Sequence, residues 1–277
     1  MNTASYVYIP PPNFRDTSFF VDNLKKFPPS GRMIIMSDHN YKREFPDYEH
    51  TILTIPPERL DAAKMNPQCG ISNALFIAAM RDAKKRGIEH VLYLESDCRM
   101  GTQGFDVTLF TEFFTFPFPL IAAGTIMAWN VFNGGTAWVE RWKKLVTATI
   151  DYATPVHCYG SFPFKDYYGA NRPCNPTIFP NGAGCIVSVE WMWELFNGFK
   201  NLVAIATGDG TEGKAWDWQI GERARLRFGA DVFELFGHLK YVNSCYGDLT
   251  MSNEERLNLL KTGKVVVGHQ FKGKEVI

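Results

Sequence analysis

Residues 72–97 read SNALFIAAMRDAKKRGIEHVLYLESD, and this stretch decides the fold. Its first part, Ser72–Arg86, has apolar residues at helical spacing and basic residues at the end that the helix dipole makes negative, and Gly87 suits the C-cap. The next part, Val91–Leu94, is a short apolar run typical of a strand covered on both faces, and it stops at Glu95-Ser96-Asp97. The apolar face of the predicted helix consists of Phe76, Ala79, Met80 and Ala83.

Upstream of this stretch, short β-type runs alternate with a helical pattern. Strands are predicted at Ser5–Ile9, Met33–Met36 and Thr51–Ile55, and prolines follow the first and the third. A helix is predicted around Phe19–Phe27, between the first two strands. Strand, helix, strand, helix and strand in this order predict a parallel α/β sheet.

Downstream of residue 100 the pattern is less regular. The segment Thr154–Asn181 has little periodicity and exceeds the length of an ordinary connection, so it is either a substrate lid or a rigid surface loop. The remaining predicted elements are strands at Leu120–Ala123, Gly184–Val189 and Val265–Val267, and helices around Val139–Thr149 and Glu190–Phe199.

Charge and composition exclude several classes of protein. The 29 basic and 29 acidic residues give a formal charge of zero, so no global field favours nucleic acid or an anionic membrane, although a local basic patch stays open. The six cysteines are widely spread without a C-x-x-C pair, which favours reduced thiols in a cytoplasmic protein. Met1–Pro12 lacks the pattern of a signal peptide, and the apolar segment Pro119–Trp129 is shorter than the roughly 20 residues that a membrane-spanning helix needs.

Polar residues follow three of the predicted strands. Ligands of parallel sheets gather beyond the carboxyl ends of the strands, so Pro10–Asn13, Ser37-Asp38-His39 and Glu95-Ser96-Asp97 are expected to meet in one crevice. The carboxylates of Glu95 and Asp97 are hard oxygen ligands that suit Mg²⁺ or Mn²⁺ bridging the phosphates of a substrate. The alternative is that the two acids are solvated or cap a helix.

The runs Gly70–Gly87 and His90–Asp97 resemble the donor half of nucleotide-sugar glycosyltransferases with the A-type fold. In that family a helix of small residues precedes a strand that ends in an aspartate-x-aspartate motif. The resemblance implies a Rossmann-like fold with a central mixed, mostly parallel sheet flanked by helices. Glu95 replaces the first aspartate, so Asp97 is implied as the metal ligand, while Glu95 is implied as a second ligand or as a contact to ribose, sugar or metal-bound water.

Two later segments extend the resemblance. The run Trp216–Arg225 resembles the family's glutamate-aspartate segment, which implies that Asp217 is the general base for the acceptor, unless it caps the following helix. The run Val265–His269 resembles the family's late histidine, which implies His269 as a metal ligand and Lys272 and Lys274 as contacts to the diphosphate. The alternative for His269 is an ordinary hydrogen-bonded residue.

The resemblance also implies how the chain divides its tasks. Residues 1–277 are expected to form a single catalytic domain, with a nucleotide-sugar donor half at 1–100 and an acceptor half at 101–277. The implied donor contacts are Pro10, Asn13, Asp38, Asn73, Glu95, Lys272 and Lys274.

The leading hypothesis is a metal-dependent hexosyl- or pentosyltransferase that uses Mn²⁺ or Mg²⁺ and a nucleoside-diphosphate sugar, with UDP-sugar as the expected donor. Inversion is the preferred outcome. The acceptor is left open among a glycan, a protein, a small molecule and a hydroxylated base in viral DNA. Rings that could stack on it, unless they are core, are Tyr167, Tyr168, Trp191 and Trp193, and a local patch for phosphates is Arg223, Arg225 and Arg227.

Two other readings compete with this hypothesis. A sugar-phosphate nucleotidyltransferase uses a related sheet and a metal, but it needs a glycine-rich basic loop after the first strand, for which Pro10–Asn13 is a poor substitute. The second reading is a binding protein of the same fold without catalysis, against which the acids at 95, 97 and 217 argue.

Overall fold

The computed structural model describes residues 1–14, 17–52, 70–115, 121–123, 126–128, 178–180, 184–202, 205, 216–217, 219–220, 223, 236–238, 241–242 and 253–268. The strands are β1 (Thr3–Tyr8), β2 (Met33–Ser37), β3 (Glu49–Ile52), β4 (His90–Leu94), β5 (Arg99–Met100), β6 (Ile121–Ala123), β7 (Ile126–Ala128), β8 (Ile178–Pro180), β9 (Cys185–Ser188), β10 (Phe236–His238), β11 (Tyr241–Val242) and β12 (Val267–Gly268). The helices are α1 (Thr17–Lys26), α2 (Gly70–Lys85), α3 (Phe105–Phe113), α4 (Val189–Leu195) and α5 (Asn253–Lys261).

The main sheet contains seven of the described strands, in the order β10-β6-β9-β4-β1-β2-β3. The strands β1 to β4 are mutually parallel, β9 is antiparallel to both of its neighbours β4 and β6, and β10 is parallel to β6. The connection from β1 through α1 to β2 and the connection from β3 through α2 to β4 run in opposite directions along the sheet, so the right-handed crossover rule assigns α1 and α2 to opposite faces. The predicted α/β fold with a mixed, mostly parallel central sheet flanked by helices is confirmed. The sheet takes strands from both 1–100 and 101–277.

A smaller sheet lies beside the segment that follows β4. Its order is β11-β12-β5, and β12 is antiparallel to β5, with Gly268 opposite Arg99. The side chain of Asn23 on α1 holds β5 from the other side, because its amide nitrogen donates to the carbonyl of Met100 over 3.0 Å and its oxygen accepts from the Met100 amide over 2.7 Å. The third sheet pairs β7 with β8.

The helix α2 forms as its sequence predicts. All four residues of its apolar face are fully inaccessible to solvent, and they pack into the core. The helix ends in a Schellman motif, since the amide of Ile88 donates to the carbonyl of Ala83 and that of Gly87 to the carbonyl of Lys84. Gly87 has a φ of +67°, the left-handed conformation that this motif requires. The motif turns the chain directly into β4.

Several predicted boundaries are wrong. The strand predicted from Thr51 begins at Glu49, and the strand predicted at Val265–Val267 is Val267–Gly268. The helix predicted through Phe199 ends at Leu195 and is followed by a separate turn at Asn197–Phe199, in which all three residues have positive φ. Ile178–Pro180, at the end of the predicted long loop, is the strand β8.

Other predictions fall outside the described residues. These are the helix at Val139–Thr149, the loop before Ile178, and the side chains of Tyr167, Tyr168, Arg225, Arg227, His269, Lys272 and Lys274. Of the helices in the described part of the chain, none combines the length and the apolar character that crossing a bilayer requires.

Candidate functional site

The acidic motif forms a tight turn after β4, a strand in the interior of the main sheet. The amide of Cys98 donates to the carbonyl of Glu95 over 3.0 Å and closes the turn. The guanidinium of Arg99 holds the same turn from within, because its Nη1 donates to the carbonyls of Ser96 over 3.0 Å and Cys98 over 2.7 Å. Arg99 is fully buried, and Asp97 is only 7% exposed. The backbone of the motif is therefore fixed by hydrogen bonds on both sides of Asp97.

The charges of Glu95 and Asp97 both act on the neighbouring residue Cys98. Burial raises the pKa of the Cys98 thiol well above its usual value, and the negative charges of Asp97 and Glu95 raise it further. Burial likewise raises the pKa of Tyr93, and the negative charge of Glu95 raises it further. Glu95 is half-buried and accepts a hydrogen bond of 3.2 Å from the Ser72 hydroxyl in the first turn of α2. The first turn of α2 and the end of β4 thus lie together, as parallel βαβ units require.

Asp217 belongs to a helical segment that packs against these same two elements. Trp216 is 1% exposed and stacks on Phe76 of α2, with 4.2 Å between ring centroids and 6° between ring planes. It also meets the ring of Tyr93 of β4 edge-on at 5.2 Å. Trp216 and Asp217 are both helical, so the alternative in which Asp217 is the N-cap of this helix is wrong.

The contact of Trp216 with Tyr93 places the Asp217 segment near the end of β4. Burial is the main cause that raises the pKa of Cys185, and the charge of Asp217 is the other. Cys185 begins β9 and pairs with Tyr93, two residues before Glu95. The two acids therefore lie at the same end of the sheet. Cys98 and Cys185 are both free thiols in the structure, as the spread of the cysteines predicts for these two positions.

The ends of β1 and β2 are joined by hydrogen bonds. The Ser37 hydroxyl donates to the carbonyl of Ile9 over 2.7 Å, and the Tyr41 hydroxyl donates to the carbonyl of Pro10 over 2.5 Å. The strands β1, β2 and β4 are adjacent and parallel, so the positions that follow them lie at the same edge of the sheet. The predicted crevice between these positions stays a prediction. Pro10 is buried and its carbonyl is occupied by the hydrogen bond from Tyr41, whereas Asn13 is exposed.

Asp38 lies beside this junction and is half-buried at the end of β2. Burial raises the pKa of Tyr41 to about 12, and the charge of Asp38 is among the further causes, after Glu44 and Tyr8. The carboxylate of Asp38 and the phenol groups of Tyr41 and the half-buried Tyr8 therefore lie near the carboxyl end of β2. These groups suit the recognition of a polar ligand by hydrogen bonds.

Three predicted ligand contacts have other surroundings. Asn73 is fully buried, so it does not line an open crevice, and its amide nitrogen donates to the carbonyl of Ile205 over 3.3 Å. Trp191 is 6% exposed and belongs to the core rather than to a stacking surface. Arg223 is half-buried with its guanidinium carbon 4.8 Å from the ring centroid of Phe196, and burial lowers its pKa.

No protein-family model matches this sequence, and no curated protein matches it. Among solved structures the chain is similar to the crystal structure of mouse xyloside xylosyltransferase 1 in its apo form, with a TM-score of 0.48, 11% sequence identity and 98% of each chain covered.

The donor set of the acidic turn fits a hard divalent cation. Within the described ranges no group of three or more His, Cys, Asp and Glu residues could hold a metal ion, and the turn offers two carboxylates, Glu95 and Asp97. Mg²⁺ is commonly bound by one or two carboxylates together with substrate phosphates and water, so two protein ligands suffice. His269 lies outside the described residues. It directly follows Gly268 in the sequence, and Gly268 pairs with Arg99 of β5, the strand that follows the acidic turn.

The sequence pattern did not indicate three residues that organise this site. Ser72 holds Glu95, Arg99 holds the turn around Asp97, and Gln219 donates to the carbonyl of Ile205 over 2.8 Å. A signal was present for Arg99, because a charged residue between Cys98 and Met100 interrupts an otherwise apolar pair. Ser72 and Gln219 gave none, since their partners are distant in sequence.

Proposed function

We propose that this protein is a metal-dependent glycosyltransferase that moves a sugar from a nucleoside-diphosphate donor, with UDP as the nucleotide, to an acceptor hydroxyl. The observation that carries the proposal is the buried turn after β4, in which Asp97 is 7% exposed and held between fixed backbone groups, with Asp217 at the same end of the sheet. Carboxylate oxygens at the carboxyl end of a parallel strand are ligands that suit a hard divalent cation bound together with substrate phosphates.

In this proposal Asp97 is the principal metal ligand, Glu95 is the second carboxylate, and His269 is a third ligand. The metal supplies charge neutralisation for a diphosphate leaving group. Ser72 orients Glu95 through its hydrogen bond, and Arg99 keeps the turn from relaxing when no donor is bound. Asp38 and Asn13, at the ends of β2 and β1, provide contacts to the nucleoside, and Lys272 and Lys274 provide contacts to the diphosphate.

Asp217 is the general base of the proposed reaction. The acceptor oxygen forms a bond to the anomeric carbon while the bond from that carbon to the diphosphate oxygen breaks, and the acceptor proton passes to the Asp217 carboxylate. A single displacement of this kind inverts the anomeric configuration. General-base catalysis by one positioned carboxylate contributes about 10²–10⁴-fold in rate.

The test is UDP release from a panel of UDP-sugars with Mn²⁺, with water as the acceptor. Asp97→Asn is expected to abolish the Mn²⁺-dependent release, and Asp217→Asn to lower kcat by about 10²-fold or more while leaving KM for the donor unchanged. The matched control is Asp22→Asn, an exposed aspartate of α1, which should behave as the wild type. Full activity of Asp97→Asn would refute the metal site, and full activity of Asp217→Asn would refute the base.

A further inference from the structure

Two buried amide side chains from different helices meet at a single carbonyl oxygen. Asn73 of α2 donates to the carbonyl of Ile205 over 3.3 Å, and Gln219 donates to the same carbonyl over 2.8 Å. Asn73 is fully buried, and Gln219 is 2% exposed. We name these three residues the amide clasp. It joins the first turn of α2 to the helical segment that carries Asp217.

The amide clasp and Trp216 hold that segment on both sides of Asp217. Trp216 precedes the acid and sits against Phe76, while Gln219 follows it by two residues. Trp216, Gln219 and Ile220 are all buried and share one helical face, since residues three and four apart are neighbours on a helix. Asp217 is turned from Trp216 by about 100° around the helix, so it leaves the packed face and is half-buried.

Two adjacent residues of α2 connect it to the acidic turn and to the segment that carries Asp217. The Ser72 hydroxyl donates to Glu95, and Asn73, the next residue, reaches the Asp217 segment through Ile205. One helical turn thus sets the position of the acidic turn after β4 and of the proposed base. Apolar packing alone would hold the segment in the core, whereas a buried hydrogen-bonded network fixes its register and orientation.

We propose that Asn73 and Gln219 are positioning residues, and that the amide clasp sets the distance between Asp217 and the acidic turn. This inference rests on the proposed function, because it assigns the clasp a role through Asp217. Misplacing a reactive group by about 1 Å can cost about 10²-fold in rate, so loss of one arm of the clasp should impair catalysis without removing any residue that touches a substrate.

The first test needs no substrate. Hydrogen exchange of the backbone amides of 216–223 should become at least about 10-fold faster in Gln219→Met, which keeps the length of the side chain and removes its donors. The matched control is Gln103→Met, an exposed glutamine, which should leave this exchange unchanged. Asn73→Ser removes the other arm and serves in case Gln219→Met does not fold. Unchanged exchange in both clasp variants would overturn the proposal.

The second test is a double-mutant cycle on UDP release from the preferred UDP-sugar with Mn²⁺. Gln219→Met should lower kcat by about 10- to 100-fold with little change in KM, and the same substitution should have less than about a twofold effect in an Asp217→Asn background. A merely structural role predicts the same loss in both backgrounds, and that result would overturn the positioning role. A fully active Asp217→Asn single variant would instead refute the proposed base, while the exchange experiment still decides whether the clasp holds the segment.

Discussion

Buried polar side chains organise this protein at the scale of single residues. Asn23 holds β5, Ser37 holds the end of β1, and Asp106 accepts from the amides of Ser30 and Gly31 over 2.9 and 2.7 Å. Each of these buried polar groups forms a hydrogen bond within the protein in place of one to water. They lie mostly in or next to connections between elements, so they fix where each element begins and ends.

Ser5 differs from these hydrogen-bonded residues, and the difference leads to a prediction about stability. Its hydroxyl is fully buried in β1 and has no hydrogen-bond partner within the described part of the chain. An unsatisfied buried hydroxyl costs about 1–3 kcal/mol, so Ser5→Ala should leave the free energy of unfolding unchanged or raise it by about 1 kcal/mol in urea titrations.

The matched control is Ser37→Ala in the neighbouring strand. The Ser37 hydroxyl donates to Ile9 over 2.7 Å and accepts from the His39 amide over 3.0 Å, so its loss should destabilise the protein by about 1–3 kcal/mol. Equal destabilisation by the two substitutions would show that Ser5 makes a hydrogen bond of its own.

The sequence indicated some site residues and not others for a physical reason. Asp97 is predicted because its position after an apolar strand is a local pattern, and Asp217 because it lies in the run Trp216–Arg225, which resembles a family motif. Ser72 and Gln219 could not be found in this way. Each acts on a group far along the chain, at separations of 23 residues from Glu95 and 14 residues from Ile205, and no local pattern encodes such a pair.

At the scale of elements, prediction succeeded where local forces decide the structure. The helix α2 has an apolar face, basic residues in its last turn and a glycine at its end, and its predicted and observed bounds differ by only a few residues. The end of α4 was predicted wrongly because the left-handed turn at Asn197–Phe199 stops it. Gly198 and Asn197 tolerate positive φ, whereas Phe199 does not favour it, and the packing of Phe199 against Phe196 accompanies the turn.

The docking of the Asp217 segment onto α2 and β4 makes a prediction about stability. Trp216→Ala removes a buried ring from the stack with Phe76 and from the edge contact with Tyr93, and should lower the free energy of unfolding by about 3–5 kcal/mol in urea titrations. Trp216→Phe keeps an aromatic ring at this position and should cost clearly less.

A second tryptophan provides the comparison. Trp193 is half-buried and packs against Phe199 at 5.4 Å, so Trp193→Ala should destabilise less than Trp216→Ala. If Trp216→Ala is no more destabilising than Trp193→Ala, the Asp217 segment is not anchored by its tryptophan.

At the scale of the whole molecule, the two ends of the main sheet have different roles. Near the amino ends of β2 and β3, Arg32 and Arg86 both pair with Glu49 at 2.6 Å, and Arg86 also pairs with Asp82 at 2.7 Å. These charges neutralise one another within the fold. At the carboxyl ends lie the acidic residues Glu95, Asp97 and Asp217, on the side of the sheet where ligands of parallel sheets bind.

The order of the strands lay beyond what the sequence could predict. The regular alternation of the first hundred residues predicts that β1, β2 and β4 are parallel and end at the same edge of the sheet, as they do. The insertion of the antiparallel β9 depends on its pairing with β4, about ninety residues earlier, and with β6, about sixty residues earlier, which only the folded chain decides. That insertion brings Cys185, and with it the Asp217 segment, to the end of β4.

The most direct test of the metal site is a thermal-shift titration with UDP in the presence of Mn²⁺ or of EDTA. Ligand at 100 times its dissociation constant stabilises the folded state by about 2.7 kcal/mol, which is readily measured as a rise in Tm. The wild type and Asp217→Asn should both show a UDP shift that requires Mn²⁺, and Asp97→Asn should show none. Absence of a Mn²⁺-dependent shift in the wild type, or an undiminished shift in Asp97→Asn, would contradict the proposed donor site.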